Sequence, residues 1–390
     1  LKPEDSDEPI SNLGELLGSA GELKAGSGLL SGVIAVGLGA LALLSVIAFH
    51  FPAYLTTPEL RQKYDVEILR YVLAAALILS GALASFNILK GRRRWLSAWA
   101  LALVCLSFAL GGPSVPVEDF ADHTPYLGID FLVLDLLGST LVFVAIEKLF
   151  ALRKDQPIFR PEWQNDLVHF GVNHLAVGLF LFLVNRVIFS AMGVASLPAL
   201  QEYVRDLPLL AALLGAVFVA DLAQYWVHRA YHEVPLLWRF HSVHHSAPAM
   251  DWVAGSRQHL LEVIVTRMLV LTPLYVLGFA QNVIDAYIVV VGFQAVFNHA
   301  NVSVRLGWFS RVIVTPNFHH WHHSQDDEAI DRNYSAHFAF IDHLFGTAVQ
   351  ADRKWPDRYG VVGNYMPLGF LKQQAFPFTR QKTDPVADAD

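Results

Sequence analysis

"LPLLAALLGAVFVADLAQYWVHRAYHE", residues 207–233, is the stretch that decides the fold. Residues 207–227 are an apolar run as long as the roughly 20 helical residues that cross a hydrocarbon core, and far too long for a strand. The run passes without a break into His228 and His232. Four residues apart, these share one face of a helix. Pro235 follows and is expected to end the helix. A membrane helix therefore carries two imidazoles to one edge of the bilayer.

Working outward, further apolar runs lie at 28–50, 66–89, 95–111, 128–147 and 167–189, the third of them short. Two more, 261–280 and 283–298, meet at "AQN" and read as a helical hairpin. Composition agrees. Hydrophobic residues make up 54% of the 390 and charged ones 16%, below the roughly 25% of soluble domains, and mean hydropathy is +0.39. A net charge of -7 with no basic, aromatic-interleaved patch argues against a nucleic-acid partner. Cys105, the single cysteine, lies in an apolar run, which excludes an intrachain disulfide and every cysteine-based zinc or iron–sulfur motif. The expected fold is an all-α, polytopic membrane helical bundle with a histidine-rich di-metal cap on the cytoplasmic side.

The expected organisation has four parts. Residues 1–27 are polar, acidic and Gly/Ser-punctuated, a mobile tail. Such a tail differs from the short basic start of a secretory signal, so the first apolar run is expected to remain as a span. Residues 28–206 hold the N-terminal membrane helices, 207–350 the histidine-rich domain, and 351–390 a polar C-terminal tail that begins as a soluble cap. Basic residues set the orientation. Lys90, Arg92, Arg93 and Arg94 separate the second and third runs, and Lys148, Arg153, Lys154 and Arg160 follow the fourth. The loop at 112–127 has no Lys or Arg but carries Glu118, Asp119 and Asp122. The positive-inside rule puts 90–94 and 148–166 in the cytoplasm. Alternation then brings His228 to that face, and the hairpin starts and ends there too.

Two more clusters join "HRAYHE": "HSVHH" from His241 and "HHWHH" from His319. In the first, His241 shares a face with His244 or His245, and either neighbour can point at a second ion. In the second, His319, His322 and His323 repeat that spacing, with His320 as the surplus member. Eight imidazoles exceed one coordination sphere, since tetrahedral zinc takes four ligands, so two ions are expected. Imidazole without thiolate leaves iron, zinc, copper and nickel open. Isolated histidines such as His50, His123, His169 and His174 are read as hydrogen-bonded or interfacial. His232-Glu233 begins like HExxH, but Leu236 and Pro235 break that motif. No GxSxG elbow or GxGxxG fingerprint accompanies the histidines.

"DLAQYWVHRAYHEVPLLWRFHSVHHS", then "TPNFHHWHHSQDDEAIDRNY" and "IDHLFGT", resembles the fatty acid hydroxylase/sterol desaturase superfamily of membrane di-iron enzymes, over about residues 207–350. "HRAYHEV" and "DRNY…FGT" are also similar to its alkylglycerol monooxygenase branch. The resemblance implies a four-helix membrane core whose cytoplasmic histidines bind two iron ions, with dioxygen as cosubstrate, to hydroxylate or desaturate a lipid: a sterol or hopanoid, a fatty acyl chain or an ether lipid. Zinc can stand in for iron in purified samples. The implied ligands are His228, His232, His241, His244, His245, His319, His322 and His323, with His299 at a further ligand position. Some branches carry a second histidine four residues after that one, where this chain has Ser303. His259, in "SRQHLLE", resembles a histidine of sterol-oxidising members; it is read either as filling the gap, oriented by Glu262, or as a residue that only sits near the metal or the lipid headgroup.

Breaking an unactivated C–H bond is beyond side-chain acids and bases, so a redox metal must carry it, and second-shell groups must hold the imidazole tautomers. Asp221, seven residues before His228 on the same helical face, is the first candidate; Asn333 and Asp342 are others, with loop-structuring roles as their alternative. Trp226, Trp238, Trp252 and Trp321 flank the clusters as interfacial anchors or as the lining of a lipid slot. No nucleotide fingerprint or fused haem domain is present, so a separate electron-donor protein is expected. The competing class is a histidine-rich metal-binding or metal-transport membrane protein without oxygenase activity. Transporters hold ions near the bilayer midplane, whereas these clusters fall at the ends of spans.

Overall fold

The computed structural model describes residues 28–61, 65–92, 94–117, 126–176, 197–304, 306–349 and 354–379. The expectations for the tail at 1–27, for Glu118, Asp119, Asp122 and His123, and for the later part of the run at 167–189 lie outside the described residues. Helices carry the fold. Six of those described are long and apolar enough to cross a membrane. They are α1 (Leu29–His50), α2 (Val66–Leu89), α3 (Arg94–Ala109, prolonged by a short turn), α4 (Ile129–Leu149), α5 (Leu209–Glu233) and, after the short α6 (Pro235–His241), α7 (Leu260–Leu277). Large apolar side chains face outward along them, including Ile78 at 71% exposure and Leu141 at 77%. Such a band suits lipid rather than water, and the chain is an integral, multi-pass membrane protein.

Two compact units divide at Asp135 and Leu136. In the first, α1, α2 and α3 pack on one another through small residues. Ala35, Ala84 and Ala100 form one buried cluster. Small side chains let membrane helices approach closely, where no hydrophobic effect drives them together. Ser80 Oγ donates to Ala35 O at 2.7 Å, so a buried hydroxyl is satisfied across the α1–α2 seam. His50 donates from Nε2 to Leu110 O at 2.8 Å.

In the second unit, α5, α7 and α8 (Gln281–His299) share one core. Ala212, Ala216 and Ala220 of α5 meet Val270 and Leu274 of α7 and Ile284 and Tyr287 of α8. The hairpin turns at Gly278, whose φ of 84° is left-handed. A Cβ there would lie 2.6 Å from that of Gln201, so both backbone and space require glycine. Pro235 behaves as expected: α5 stops at Glu233, and the proline opens α6. The "HHWHH" cluster forms α9 (Pro316–His322), capped by the Thr315 side chain accepting from Phe318 N.

The C-terminal segment, expected to begin as a soluble cap, is packed over residues 354–379. Met366 and Phe376 are buried against Val243. Gln373 Oε1 sits 2.8 Å from His169 Nε2 and accepts from Asn165 Nδ2 at 2.9 Å.

Candidate metal centre

The three clusters converge in the second unit and divide into two groups. His228, His232, His241, His245 and His322 form one, and His244, His299, His319 and His323 the other. Within each group the ligand nitrogens all lie within 4.8 Å of one another. His228 and His232 stand one turn apart on α5. Adjacent pairs split as helical geometry requires: the rings of His244 and His245 are 89° apart, and those of His322 and His323 87° apart. Each pair therefore sends one ring to each group. His245 and His323 stack at 4.3 Å, so the groups are neighbours.

What lies behind six of the nine rings fixes their tautomers. His228 Nδ1 is 2.7 Å from Tyr334 O, His322 Nδ1 2.7 Å from Arg332 O, His299 Nδ1 2.7 Å from Ala295 O, and His244 Nδ1 3.1 Å from Arg257 O. A carbonyl only accepts, so each Nδ1 carries the proton and each Nε2 presents a lone pair. His241 Nδ1 meets Glu262 Oε1 at 2.6 Å, and His232 Nδ1 meets Asp331 Oδ1 at 3.2 Å.

The inward nitrogens then face one another with no proton between them. His244 and His299 are the clearest pair, their Nε2 atoms 3.3 Å apart with both Nδ1 protons committed to carbonyls. His228 and His241 are 3.0 Å apart in the other group. His232 Nε2 and His322 Nε2 are buried without any partner. Opposed lone pairs repel unless a cation lies among them. Ligands about 2.0–2.1 Å from one ion stand roughly 2.8–3.4 Å apart at octahedral or tetrahedral angles, which matches these spacings. Burial first, and neighbouring imidazoles next, hold His241, His245, His322 and His323 well below the ordinary imidazole pKa. They are neutral at pH 7, as ligands must be. Each group suits one metal ion.

Other candidates fall elsewhere. His259 is in neither group, which corrects its expected role as a ligand: its Nδ1 accepts from Leu261 N at the start of α7, and its Nε2 donates to Gln374 O at 2.9 Å. Both ring nitrogens are engaged. Ser303 donates to Phe150 O and takes no part in either group. Glu262 orients His241 rather than His259. Asp221 touches no imidazole; it accepts from the backbone N–H groups of Ala336, His337 and Phe338 at 2.6–3.1 Å. That holds the loop whose Tyr334 carbonyl orients His228. Asp342 does similar work, accepting from Tyr334 N and Ser335 N at 2.8 Å. Asn333, left-handed at φ 61°, binds Phe318 O and Val349 O. His320 is in neither group and lies between Tyr359 OH at 2.9 Å and Ala300 O at 3.1 Å. Burial drives its pKa down to about 3.

Of the tryptophans, Trp238 covers the first group, its ring centroid 5.1 Å from that of His232 and its Nε1 donating to Tyr365 OH. Trp321 and Trp252 are buried, while Trp226 stays half exposed. Sequence reasoning missed the backbone acceptors, which leave no mark on residue type. It also missed Asp331, although the "DRNY" element contains it, and Gly255. A Cβ on Gly255 would lie 2.6 Å from His299 Nδ1.

A multi-span membrane bundle with two buried, all-histidine groups defines a class of metal-dependent membrane protein, and comparison with known proteins narrows it. Residues 213–347 match the fatty acid hydroxylase family model. An ornithine lipid hydroxylase from Rhizobium tropici is 29% identical over 258 residues, 63% of this chain and 77% of that one. The alkylglycerol monooxygenase of Homo sapiens is 32% identical over 136 residues, 34% of this chain and 29% of the relative. A very-long-chain aldehyde decarbonylase from Oryza sativa is 28% identical over 138 residues, covering 22% of its length. This chain thus spans under a third of the last two relatives. No solved structure matches. These matches, with the paired histidine groups, liken residues 213–347 to the fatty acid hydroxylase family without pointing to one named member.

Proposed function

We propose that this protein is an iron-dependent membrane oxygenase that uses dioxygen, and electrons from a separate donor protein, to hydroxylate or desaturate a lipid. The observation that carries the reading is the pair of imidazole groups with opposed, unprotonated nitrogens. Iron suits an all-nitrogen donor set and, when bound, supplies the one-electron chemistry for oxidising an unactivated C–H bond. The chain's own residues do the rest. His228, His232, His241, His245 and His322 would hold one ion, and His244, His299, His319 and His323 the other. Glu262, Asp331 and the backbone carbonyls behind His228, His244, His299 and His322 keep Nδ1 protonated on six of the nine rings, and so keep their Nε2 atoms donors. Trp238 and the buried ring of Tyr334 shield the first group from water.

The names of the relatives support a lipid substrate, one naming an ornithine lipid and another an alkylglycerol. The histidine groups are taken to face the cytoplasm, where an electron donor is available.

The test pairs metal analysis of purified protein with comparative lipid mass spectrometry of cells with and without the gene. Two ions per chain and a lipid whose mass differs by one oxygen or two hydrogens support the reading. One ion or none in active protein, or identical lipid profiles, would overturn it. His322→Ala and His244→Ala should each abolish turnover while the protein stays in the membrane.

A further inference from the structure

At the end of α4, residues 148–158 and 301–303 help enclose a cleft of about 510 Å³, within the size range of small-molecule sites. Lys148, Arg153 and Lys154 all line it. Glu147 lines it as well, but its Oε1 accepts from Trp252 N at 2.7 Å and Asn301 N at 3.0 Å, which commits that carboxylate to the wall. Arg153 is anchored: Nη2 donates to Pro356 O at 2.9 Å, and the guanidinium lies over the Tyr359 ring. Lys148 and Lys154 are exposed and form no ion pair among the described residues. The cleft is therefore cationic, in a chain whose net charge is -7.

Its surroundings say what kind of anion it takes. Leu149, Phe150 and Ile158 are 76%, 54% and 45% exposed beside the lysines, at the end of a span. Basic side chains mixed with exposed apolar ones are the composition of a membrane interface. An acidic protein surface would meet an apolar edge there, whereas a lipid offers charge and hydrocarbon together. The floor is tied to the metal site. Asn301 exchanges hydrogen bonds with the Arg153 backbone at 2.9 and 3.1 Å, Ser303 N donates to Phe150 O, and both residues lie just past the candidate ligand His299.

We infer that this cleft holds the headgroup of a net-anionic phospholipid beside the metal groups, with Lys148 and Lys154 flanking the phosphate. The inference rests on the lipid-oxidising reading and adds the charge of the headgroup.

Native mass spectrometry of the full chain in detergent, offered phosphatidylglycerol or phosphatidylcholine, tests it. Wild type should retain phosphatidylglycerol over phosphatidylcholine by on the order of tenfold. Lys148→Gln/Lys154→Gln should erase that preference, and Lys148→Arg/Lys154→Arg should keep it. Equal retention of the two lipids, or a preference unchanged in the glutamine variant, would overturn the inference; the second result would leave the lysines to an acidic protein partner. Uptake of inorganic phosphate without lipid preference would also overturn it, in favour of a free-anion site. The same spectra count metal ions. Intact lipid preference without metal would sink the oxygenase reading alone, and two ions without lipid preference would sink this one alone.

Discussion

Behind six of the nine inward-facing imidazoles stands a hydrogen-bond acceptor that fixes which nitrogen is free for an ion, and substitution there separates orientation from ligation. Glu262 is the only carboxylate within hydrogen-bonding distance of His241 Nδ1 among the described contacts. Glu262→Ala should weaken one ion by about 10–100-fold, the usual cost of losing such a partner. Glu262→Gln, which keeps an acceptor oxygen, should cost much less. Competition with a chromophoric chelator reads both. Gly255 acts on the other group by leaving room. Gly255→Ala would press a methyl on His299 and should lower occupancy of the second ion, with the first retained. If both ions stay bound in that variant, the close approach is not what positions His299.

At this scale the convergence of the histidines was legible because imidazole is a rare residue type and the 3.6-residue period places its members on faces. The division of His244 from His245 was legible only as a choice between them. Their partners were less so: Tyr334 O and Arg257 O are backbone atoms that any residue would supply, and His259 resembles a ligand while its position caps a helix.

Between elements, a buried ion network holds the segments that carry the rings. Arg257 pairs with Asp166 and with Glu162, and Arg160 bridges Asp166 and Asp251 at 2.6–2.8 Å. Asp251 Oδ1 accepts from Ala254 N, next to Gly255, and Arg257 O receives His244 Nδ1. The network thus fixes both turns behind the second metal group. Removing one member strands a buried charge, a loss of about 3–5 kcal/mol. Arg257→Ala should therefore lower the melting temperature sharply and lose one ion before the other. A variant that melts like wild type with two ions would show that the turns hold themselves. Spans and hairpin were legible because about 20 apolar residues admit few alternatives. Where the expected cap at 354–379 packs was not, since it has no periodic run and its contacts, such as Gln373 with His169, join residues some two hundred positions apart.

For the whole molecule, the orientation proposed from charge is made testable by the second unit. The basic segment 148–160 is not merely near the histidine groups in sequence order: Arg153 is bonded to Asn301, and Arg160 to Asp251. Within that unit, basic segment and metal site occupy the same end. Lys and Arg near the ends of spans favour the cytoplasmic side, so the proposed orientation predicts both on that face. Two introduced cysteines check this, with exposed Cys105 replaced by serine. Lys154→Cys lies in the basic segment and Glu328→Cys in the loop after α9, both exposed. In intact cells neither should react with a membrane-impermeant maleimide, and both should react once the membrane is opened. Labelling of both in intact cells would place the metal site outside and remove its access to a cytoplasmic electron donor. Labelling of only one would break the geometry itself, because the hydrogen bonds between 153 and 301 do not allow the two sites to lie on opposite sides of a bilayer.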